Sequence, residues 1–105
     1  MAPRFTLSPE AQQDLSEIRD YYLQEADAGV ARYVLREITQ ALRVLARNPG
    51  IGHARQDLTD ERVKFWAVFS YLIVYDPGLE PMGIARVLHG NRDLERLFAQ
   101  SPPRP

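Results

Sequence analysis

The sequence predicts an α+β fold with the element order β-αα-βββ-(α), in which a helical hairpin packs on one face of a small, mainly antiparallel sheet. Two observations lead to this prediction. Residues 9–45 carry apolar side chains at intervals of three and four, which is the period of two amphipathic helices. Residues 63–89 are rich in β-branched and aromatic side chains, which are typical of strands. Helices followed by a run of strands favour an α+β sandwich.

The N-terminal region predicts one short strand and then a helix. Phe5 and Leu7 alternate with polar residues as in a strand, and Ser8-Pro9 supplies an N-cap followed by proline at the first helical position. The apolar face of this helix is predicted to contain Ala11, Leu15, Ile18, Tyr22 and Ala26. Its solvent face is predicted to contain Glu10, Gln13, Asp14, Glu17 and Glu25. We expect the helix to end at Asp27 or Gly29.

A second helix follows and completes the hairpin. Its apolar stripe is predicted to contain Val30, Val34, Ile38, Leu42 and Leu45. The polar side chains Arg32, Arg36, Gln40 and Arg43 lie away from that stripe. Asn48-Pro49 should end the helix, because a residue before proline avoids the helical region of backbone space.

Three antiparallel strands are predicted next, over Val63–Phe69, Tyr71–Tyr75 and Gly83–His89. The middle one is apolar on both faces and should be central. On the first, Val63, Phe65 and Ala67 alternate with Arg62, Lys64 and Trp66, so we expect an apolar side and a basic, aromatic side. The hairpin covers one face of the sheet, and we expect the other face to be open. A short helix should follow, with Leu94, Leu97 and Phe98 on one side.

Length and composition predict one domain over residues 1–100 and a flexible proline-rich tail over 101–105. There is no cysteine, so disulfides and thiolate metal sites are excluded. The N-terminus lacks the pattern of a signal peptide, and no apolar run approaches the roughly 20 residues that span a bilayer. We therefore expect a soluble cytoplasmic protein without membrane contact.

The formal net charge of −1 gives the molecule no overall positive field. Direct nucleic-acid binding is therefore not expected, unless a local patch supplies the charge. His53 and His89 have no third ligand at metal spacing, and the sequence has no glycine-rich phosphate loop. We expect neither a metal nor any other cofactor.

Four segments of the chain carry a family resemblance. They are Asp14-Leu-x-x-Ile18 with Tyr22, Leu45 with Asn48-Pro49-x-x-Gly52, Tyr71-Leu-Ile-Val-Tyr75, and Arg86-Val-Leu-His-Gly-x-Arg-Asp93. In order and spacing they resemble the ParE branch of the RelE/ParE toxins, also known as plasmid stabilisation toxins. The resemblance implies the RelE/ParE fold and the toxin component of a type II toxin–antitoxin system. It also implies a ParD-like antitoxin that forms a hetero-oligomer with the toxin and silences it.

The resemblance leaves three activities open. ParE-like members are regarded as inhibitors that bind DNA gyrase, RelE-like members are ribosome-dependent endoribonucleases, and an inactive member would only bind its partner. A metal-independent ribonuclease would draw on Arg62, Lys64, Arg86 and His89. Residues 90–105 contain no tyrosine or histidine, and Lys64 is the only lysine, which favours the gyrase inhibitor over the nuclease. No catalytic residue is then expected.

Two sets of residues are candidates for binding. Target contacts are predicted at Arg86, His89, Arg92, Arg96 and Phe98, on the charged C-terminal segment. Antitoxin contacts are predicted at Tyr21, Tyr22, Tyr33 and Trp66, in an apolar groove over the helical hairpin and the strand face. The three tyrosines exceed what one stripe per helix can bury. Structural roles remain alternatives for two of them. His89 is alternatively a structural histidine bonded to backbone or to Asp93, and Arg86 is alternatively half of an internal salt bridge.

Overall fold

The computed structural model describes residues 4–57, 59, 61–90 and 93, and the structural statements below concern those residues. Its elements are β1 (Phe5–Leu7), α1 (Pro9–Glu25), α2 (Ala28–Arg47), a 3-10 turn (Pro49–Ile51), β2 (Lys64–Val68), β3 (Tyr71–Asp76) and β4 (Met82–His89). The four strands form one sheet in the order β1-β4-β3-β2. β1 is parallel to β4, and the other two pairings are antiparallel. The predicted α+β fold is therefore confirmed, with β1 making the sheet mixed.

Both helices begin at side-chain caps. The Ser8 hydroxyl accepts a hydrogen bond from the Ala11 amide at 2.9 Å, and Pro9 follows as the first helical residue, as predicted. The Asp27 carboxylate accepts from the Val30 amide at 2.9 Å. Of the two predicted break points Asp27 is correct, because its cap starts α2 and Gly29 lies inside that helix.

The main core lies between the helical hairpin and the sheet. Its buried residues are Ala11, Ile18, Val34, Ile38, Leu42 and Leu45 from the helices, and Tyr71, Ile73, Tyr75, Met82, Ile84 and Val87 from the strands. The predicted helical stripes are thus mostly confirmed. Val30 and Ala26 are exceptions, since both are exposed near the turn of the hairpin, where Ala31 is buried instead.

The face of the sheet away from the hairpin was expected to be open, and this expectation is wrong. Phe65, Val74 and Leu88 are 2, 6 and 1 % exposed and form a second buried cluster. Side chains alternate between the faces of a strand, and Trp66 packs on the main core beneath the hairpin. The apolar side of β2 therefore faces away from the helices.

β4 has a stretch of edge without a partner strand among the described residues, because β1 pairs only with Met82, Gly83 and Ile84. Beyond that point, side chains take over the hydrogen bonding of the edge. The bonds run from the Ser8 hydroxyl to the Ala85 carbonyl (2.6 Å), from the Val87 amide to the Asp14 carboxylate (2.9 Å), and from the His89 amide to the Asp93 carboxylate (2.7 Å). The first two bonds attach the start of α1 and its second turn to β4.

Tyr75 attaches the segment after α2 to the sheet. Its hydroxyl donates to the Pro49 carbonyl at 2.7 Å and accepts from the Gly52 amide at 2.9 Å. A Cβ atom at position 52 would overlap the Tyr75 ring, so only glycine fits there. Burial raises the pKa of the Tyr75 phenol, because the ionised form would lose its hydration.

Two predictions lie outside the described residues: the C-terminal helix with Leu94, Leu97 and Phe98, and the tail over 101–105. Within the described part of the chain, neither helix is both long enough and apolar enough to cross a membrane.

Candidate functional site

A cleft of about 310 Å³ lies between α1 and the adjoining ends of β3 and β4. Its lining residues are Asp14, Glu17, Ile18, Tyr21, Tyr22, Ser70, Tyr71, Val87, His89 and Asp93. The cleft therefore brings together the family segment of α1, the Tyr71 end of β3 and the histidine at the end of β4. Apart from Ser70, these side chains are aromatic, aliphatic or acidic, and no arginine or lysine is among the described lining residues, so the lining is suited to a partner group with apolar or cationic character.

An ion pair joins α1 to β4 beside this cleft. The Arg86 guanidinium donates from Nε and one Nη atom to the two oxygens of Asp14, at 2.8 and 2.9 Å. One of those oxygens also accepts the Val87 amide at 2.9 Å. The hydrogen bonds to Asp14 raise the pKa of the Arg86 guanidinium, more than burial lowers it. Of the two alternatives for Arg86, the internal salt bridge is the one observed.

Asp14 was predicted on the solvent face of α1, and this prediction is wrong, because the residue is only 8 % exposed. It lies three residues after Ala11 and four before Ile18, so the helical period already places it on the buried face. An acid there needs a cation, and the arginine within the apolar β4 segment is that cation. An acid on the buried face of α1 and an arginine in the apolar β4 segment together indicate an ion pair, and this pattern was missed in the sequence.

His89 is held by packing more than by hydrogen bonds. Its ring lies edge-on to Tyr71 with 5.4 Å between the ring centroids. Its backbone amide donates to the Asp93 carboxylate. The predicted contact between residue 89 and Asp93 is therefore observed through the main chain. Nδ1 is buried and finds no hydrogen-bond partner among the residues that the structure describes.

Four aromatic side chains lie near the turn of the helical hairpin, and all of them except Tyr22 are exposed. Tyr21 and Tyr22 contact each other edge to face at 5.0 Å between centroids, and Tyr21 is 55 % exposed. Tyr33, at the start of α2, lies 6.0 Å from Phe69 in the two-residue turn between β2 and β3. We call Tyr21, Tyr22, Tyr33 and Phe69 the hairpin patch. Three of these four residues are predicted antitoxin contacts.

Phe69 has an unusual backbone conformation that sequence reasoning did not identify. Its φ is 54°, the only positive φ at a non-glycine residue in the described part of the chain. Bulky side chains are rare in this region because Cβ crowds the backbone, and two-residue hairpin turns normally place glycine or asparagine there. The ring is nevertheless 56 % exposed, so packing in the core does not offset the backbone strain. Strained residues with exposed side chains are candidates for binding.

Trp66, the fourth predicted antitoxin contact, lies at the β2 edge of the sheet. Its ring stacks on His53 with 6.1 Å between centroids and 13° between the planes. His53 also forms an isolated bridge to Phe65, so this pair belongs to the packing of the β2 edge. It is not part of the hairpin patch.

The four residues proposed for a ribonuclease lie in two separate places. Arg62 and Lys64 line a shallow depression of about 620 Å³ near the start of β2, together with Arg55. Arg86 and His89 lie on β4, across the sheet. Lys64 and His89 are two strands and four residues apart in the strand register, which corresponds to roughly 16 Å between Cα atoms. The four residues are therefore divided between two places on the sheet.

The remaining predicted target contacts, Arg92, Arg96 and Phe98, lie outside the described residues. Among residues 4–57, 59, 61–90 and 93, no group of three metal-ligating side chains is found.

The family model described as the ParE toxin of the type II toxin–antitoxin system parDE matches residues 5–94. This chain belongs to the ParE toxin family. Toxin ParE1 of Mycobacterium tuberculosis is 33 % identical over 96 residues in strain CDC 1551, covering 91 % of this chain and 98 % of that protein. The same values hold for Toxin ParE1 of strain H37Rv. These matches make the chain a ParE-type toxin of a type II toxin–antitoxin system, and the family implies an antitoxin partner.

A solved structure of the chromosomal ParDE toxin–antitoxin system from P. aeruginosa has the same fold. Its TM-score is 0.73 at 15 % sequence identity, over 86 % of this ParE-type toxin and 98 % of the other chain. At this identity the likeness concerns the fold alone. It agrees with a helical hairpin on a four-stranded mixed sheet.

Proposed function

We propose that this ParE-type toxin inhibits DNA gyrase by binding it, and that a cognate ParD-like antitoxin neutralises it by forming a hetero-oligomer. The proposal includes a cytoplasmic location, where gyrase acts, and needs no cofactor. Family membership supports the toxin and the antitoxin partner. The choice of gyrase over messenger RNA depends on the arrangement of the candidate catalytic residues.

The observation that carries this choice is the separation of those residues. A metal-independent ribonuclease needs a base, a cation for the phosphorane and an acid around one phosphate. Here Arg86 is held by Asp14 at 2.8 and 2.9 Å, and Lys64 lies roughly 16 Å from His89 across the sheet. Inhibition by binding makes no such demand, because it needs only a complementary surface.

The test compares two purified reactions. We expect the wild-type toxin to inhibit negative supercoiling by gyrase and to leave messenger RNA on translating ribosomes intact. Ribosome-dependent cleavage that is lost in both Lys64→Ala and His89→Ala would contradict the proposal and support an endoribonuclease. A toxin that inhibits neither reaction but still binds its antitoxin would contradict it in favour of an inactive, partner-binding member.

For the target surface we propose Arg86, His89, Arg92, Arg96 and Phe98. His89 lines the cleft at the end of β4, and Arg86, three residues earlier, keeps 31 % of its side chain exposed beside its ion pair. The double variant Arg92→Glu with Arg96→Glu should abolish inhibition of supercoiling and leave antitoxin binding unchanged. Inhibition equal to that of the wild type would place the target surface elsewhere.

For the antitoxin surface we propose the hairpin patch, with Trp66 as a further contact. Tyr21, Tyr33 and Phe69 are 55, 47 and 56 % exposed, an apolar area of the kind that partners bury. The double variant Tyr21→Ala with Tyr33→Ala should weaken antitoxin binding at least tenfold, because exposed tyrosines are frequent binding hot spots. Leu79→Ala is the matched control, since Leu79 is 52 % exposed and lies in the turn before β4. Equal affinities for both variants would contradict this assignment.

A further inference from the structure

Four arginines form one row along α2, and we call Arg32, Arg36, Arg43 and Arg47 the arginine row. All four are exposed. At 100° per residue they fall within an arc of about 60°, and the row is about 22 Å long. The buried residues of α2 are Ala31, Val34, Ile38, Leu42 and Leu45. Their mean direction is about 150° from the centre of the row, so the packing of α2 on the core makes the row face solvent.

The charge of the row is not neutralised locally. α2 contains one acid, Glu37, which lies about 110° from the centre of the row. The ion pairs among the described residues are Arg19–Asp20, Arg55–Asp57 and Arg86–Asp14, and none includes a member of the row. The guanidinium of Arg36 lies 5.8 Å from the Tyr33 ring, and a stacked guanidinium keeps its N–H edge available.

The surroundings of the row distinguish between classes of partner. Protein interfaces have an apolar centre, whereas interfaces with duplex DNA are polar and strongly positive. The exposed large apolar residues of α2 are Val30 and Tyr33, both in its first two turns. Along the rest of α2, the exposed side chains on this side of the helix are the arginines of the row and the polar Gln40. This composition is that of a phosphate-binding surface.

We propose that the arginine row binds the phosphate backbone of duplex DNA without sequence preference. Arginine suits phosphate because its planar group donates two parallel hydrogen bonds. Duplex DNA carries one charge per roughly 1.7 Å, so a row of this length lies beside about a dozen phosphates. The net charge of −1 excluded a long-range field but not a local patch, and the arginine row is such a patch. This activity is separate from gyrase inhibition and from antitoxin binding.

Salt dependence tests the proposal directly. Binding of the full-length toxin to a labelled, random-sequence duplex is measured by fluorescence anisotropy between 50 and 200 mM salt. Four phosphate contacts predict a slope of about −3.6 in log affinity against log salt, which is an approximately 150-fold loss over this range. Arg36→Gln with Arg43→Gln should reduce the slope to about −1.8 and the loss to about 12-fold.

Two further double variants make the test specific. Arg19→Gln with Arg55→Gln removes the same charge from exposed arginines outside the row and should keep the wild-type slope. Arg36→Lys with Arg43→Lys keeps the charge on α2 and should also keep the slope. No binding by the wild type at 50 mM salt, or equal losses in both glutamine variants, overturns the proposal. So does a row variant that keeps its DNA slope and loses antitoxin affinity, since the row would then be a protein-docking surface.

Discussion

α1 and α2 lie side by side on the same sheet but are attached to it in different ways. α1 has five acids and a single arginine, and its buried positions Ala11, Asp14 and Ile18 include a charged group. α2 has four arginines and a single acid, and its five buried positions are all apolar. One helix is held by a polar contact of fixed geometry, and the other by a continuous apolar stripe.

The difference follows from what each helix faces. α1 lies along the free edge of β4, where backbone amides need acceptors, and Asp14 supplies one to Val87 while pairing with Arg86. α2 covers side chains of the sheet interior, where an unpaired polar group would be costly. A directional contact fixes position, whereas an apolar stripe mainly contributes free energy. We therefore expect single substitutions at the contacts of α1 to have larger effects than those on the exposed face of α2.

The largest effect is expected from Asp14→Ala. It leaves the Arg86 guanidinium without its carboxylate and the Val87 amide without its acceptor. We expect the free energy of unfolding to fall by about 3 kcal/mol, at the low end for a buried pair because Arg86 is 31 % exposed. Urea denaturation of the variant and the wild type measures this loss of stability.

Glu17→Ala is the matched control, one turn further along α1 on its exposed side, and it should change stability by less than about 0.5 kcal/mol. Asp14→Leu with Arg86→Leu should recover part of the loss, because no unpaired charge remains. An Asp14→Ala variant as stable as the control would show that the ion pair does not hold α1.

Tyr75→Phe should have the second largest effect, and it acts at the exit of α2. The variant leaves the Pro49 carbonyl and the Gly52 amide without their partner, with an expected loss of about 2 kcal/mol at pH 7. The raised pKa of Tyr75 also predicts a pH dependence. Its contribution is complete below pH 10, the ordinary pKa of the phenol, and is lost as pH rises through the raised pKa.

Thermal unfolding from pH 8 to 11 measures this dependence. The wild type should lose stability more steeply above pH 10 than Tyr75→Phe, because the variant lacks the buried phenol. The difference between the two proteins removes the contribution of the other tyrosines. Parallel curves would contradict the assignment to Tyr75.

The two N-caps allow a direct comparison of the helices, with smaller expected losses of stability. Ser8 caps α1 and also donates to the Ala85 carbonyl at 2.6 Å, whereas Asp27 caps α2 at an exposed position without a bond to the sheet. We expect Ser8→Ala to cost about 1.5 kcal/mol and Asp27→Ala about 0.7 kcal/mol. Chemical denaturation of the two variants in one buffer gives the difference. The opposite order would show that the bond to β4 adds nothing.

The smallest effect on stability is expected on the arginine row. Arg36→Gln with Arg43→Gln removes exposed charges from one side of α2 and should change the free energy of unfolding by less than about 0.5 kcal/mol. Unfolding of the variant and the wild type, followed by circular dichroism at two salt concentrations, measures this change. A large loss would mean that the arginines support the helix itself, and the DNA measurements would then need the lysine variant alone.

Local patterns predicted most of the fold. The Ser8-Pro9 start of α1, the end of α2 before Pro49 and the three antiparallel strands follow from chemistry within a few residues, and all were predicted correctly. The parallel pairing of β1 with β4 joins segments more than 70 residues apart. No periodicity of a three-residue strand contains that information, so its place in the sheet was not predicted.

The candidate site was less predictable because its contacts are tertiary. Asp14 looked like a solvent residue by type, and only its partner Arg86 makes its burial possible. Alternation gave the two sides of β2 correctly but not which side the helices cover. The distance between Lys64 and His89 depends on strand order, which composition does not specify.

The side chains that bond the free edge of β4 affect how this toxin behaves at high concentration. Unpaired strand edges are templates on which further chains add, as in domain swapping and amyloid. Ser8, Asp14 and Asp93 already occupy a carbonyl and two amides on that edge, so an incoming strand must first displace three bonds. We therefore expect this edge to resist the addition of further strands, so the contact that orients α1 also opposes self-propagating aggregation on this side of the toxin.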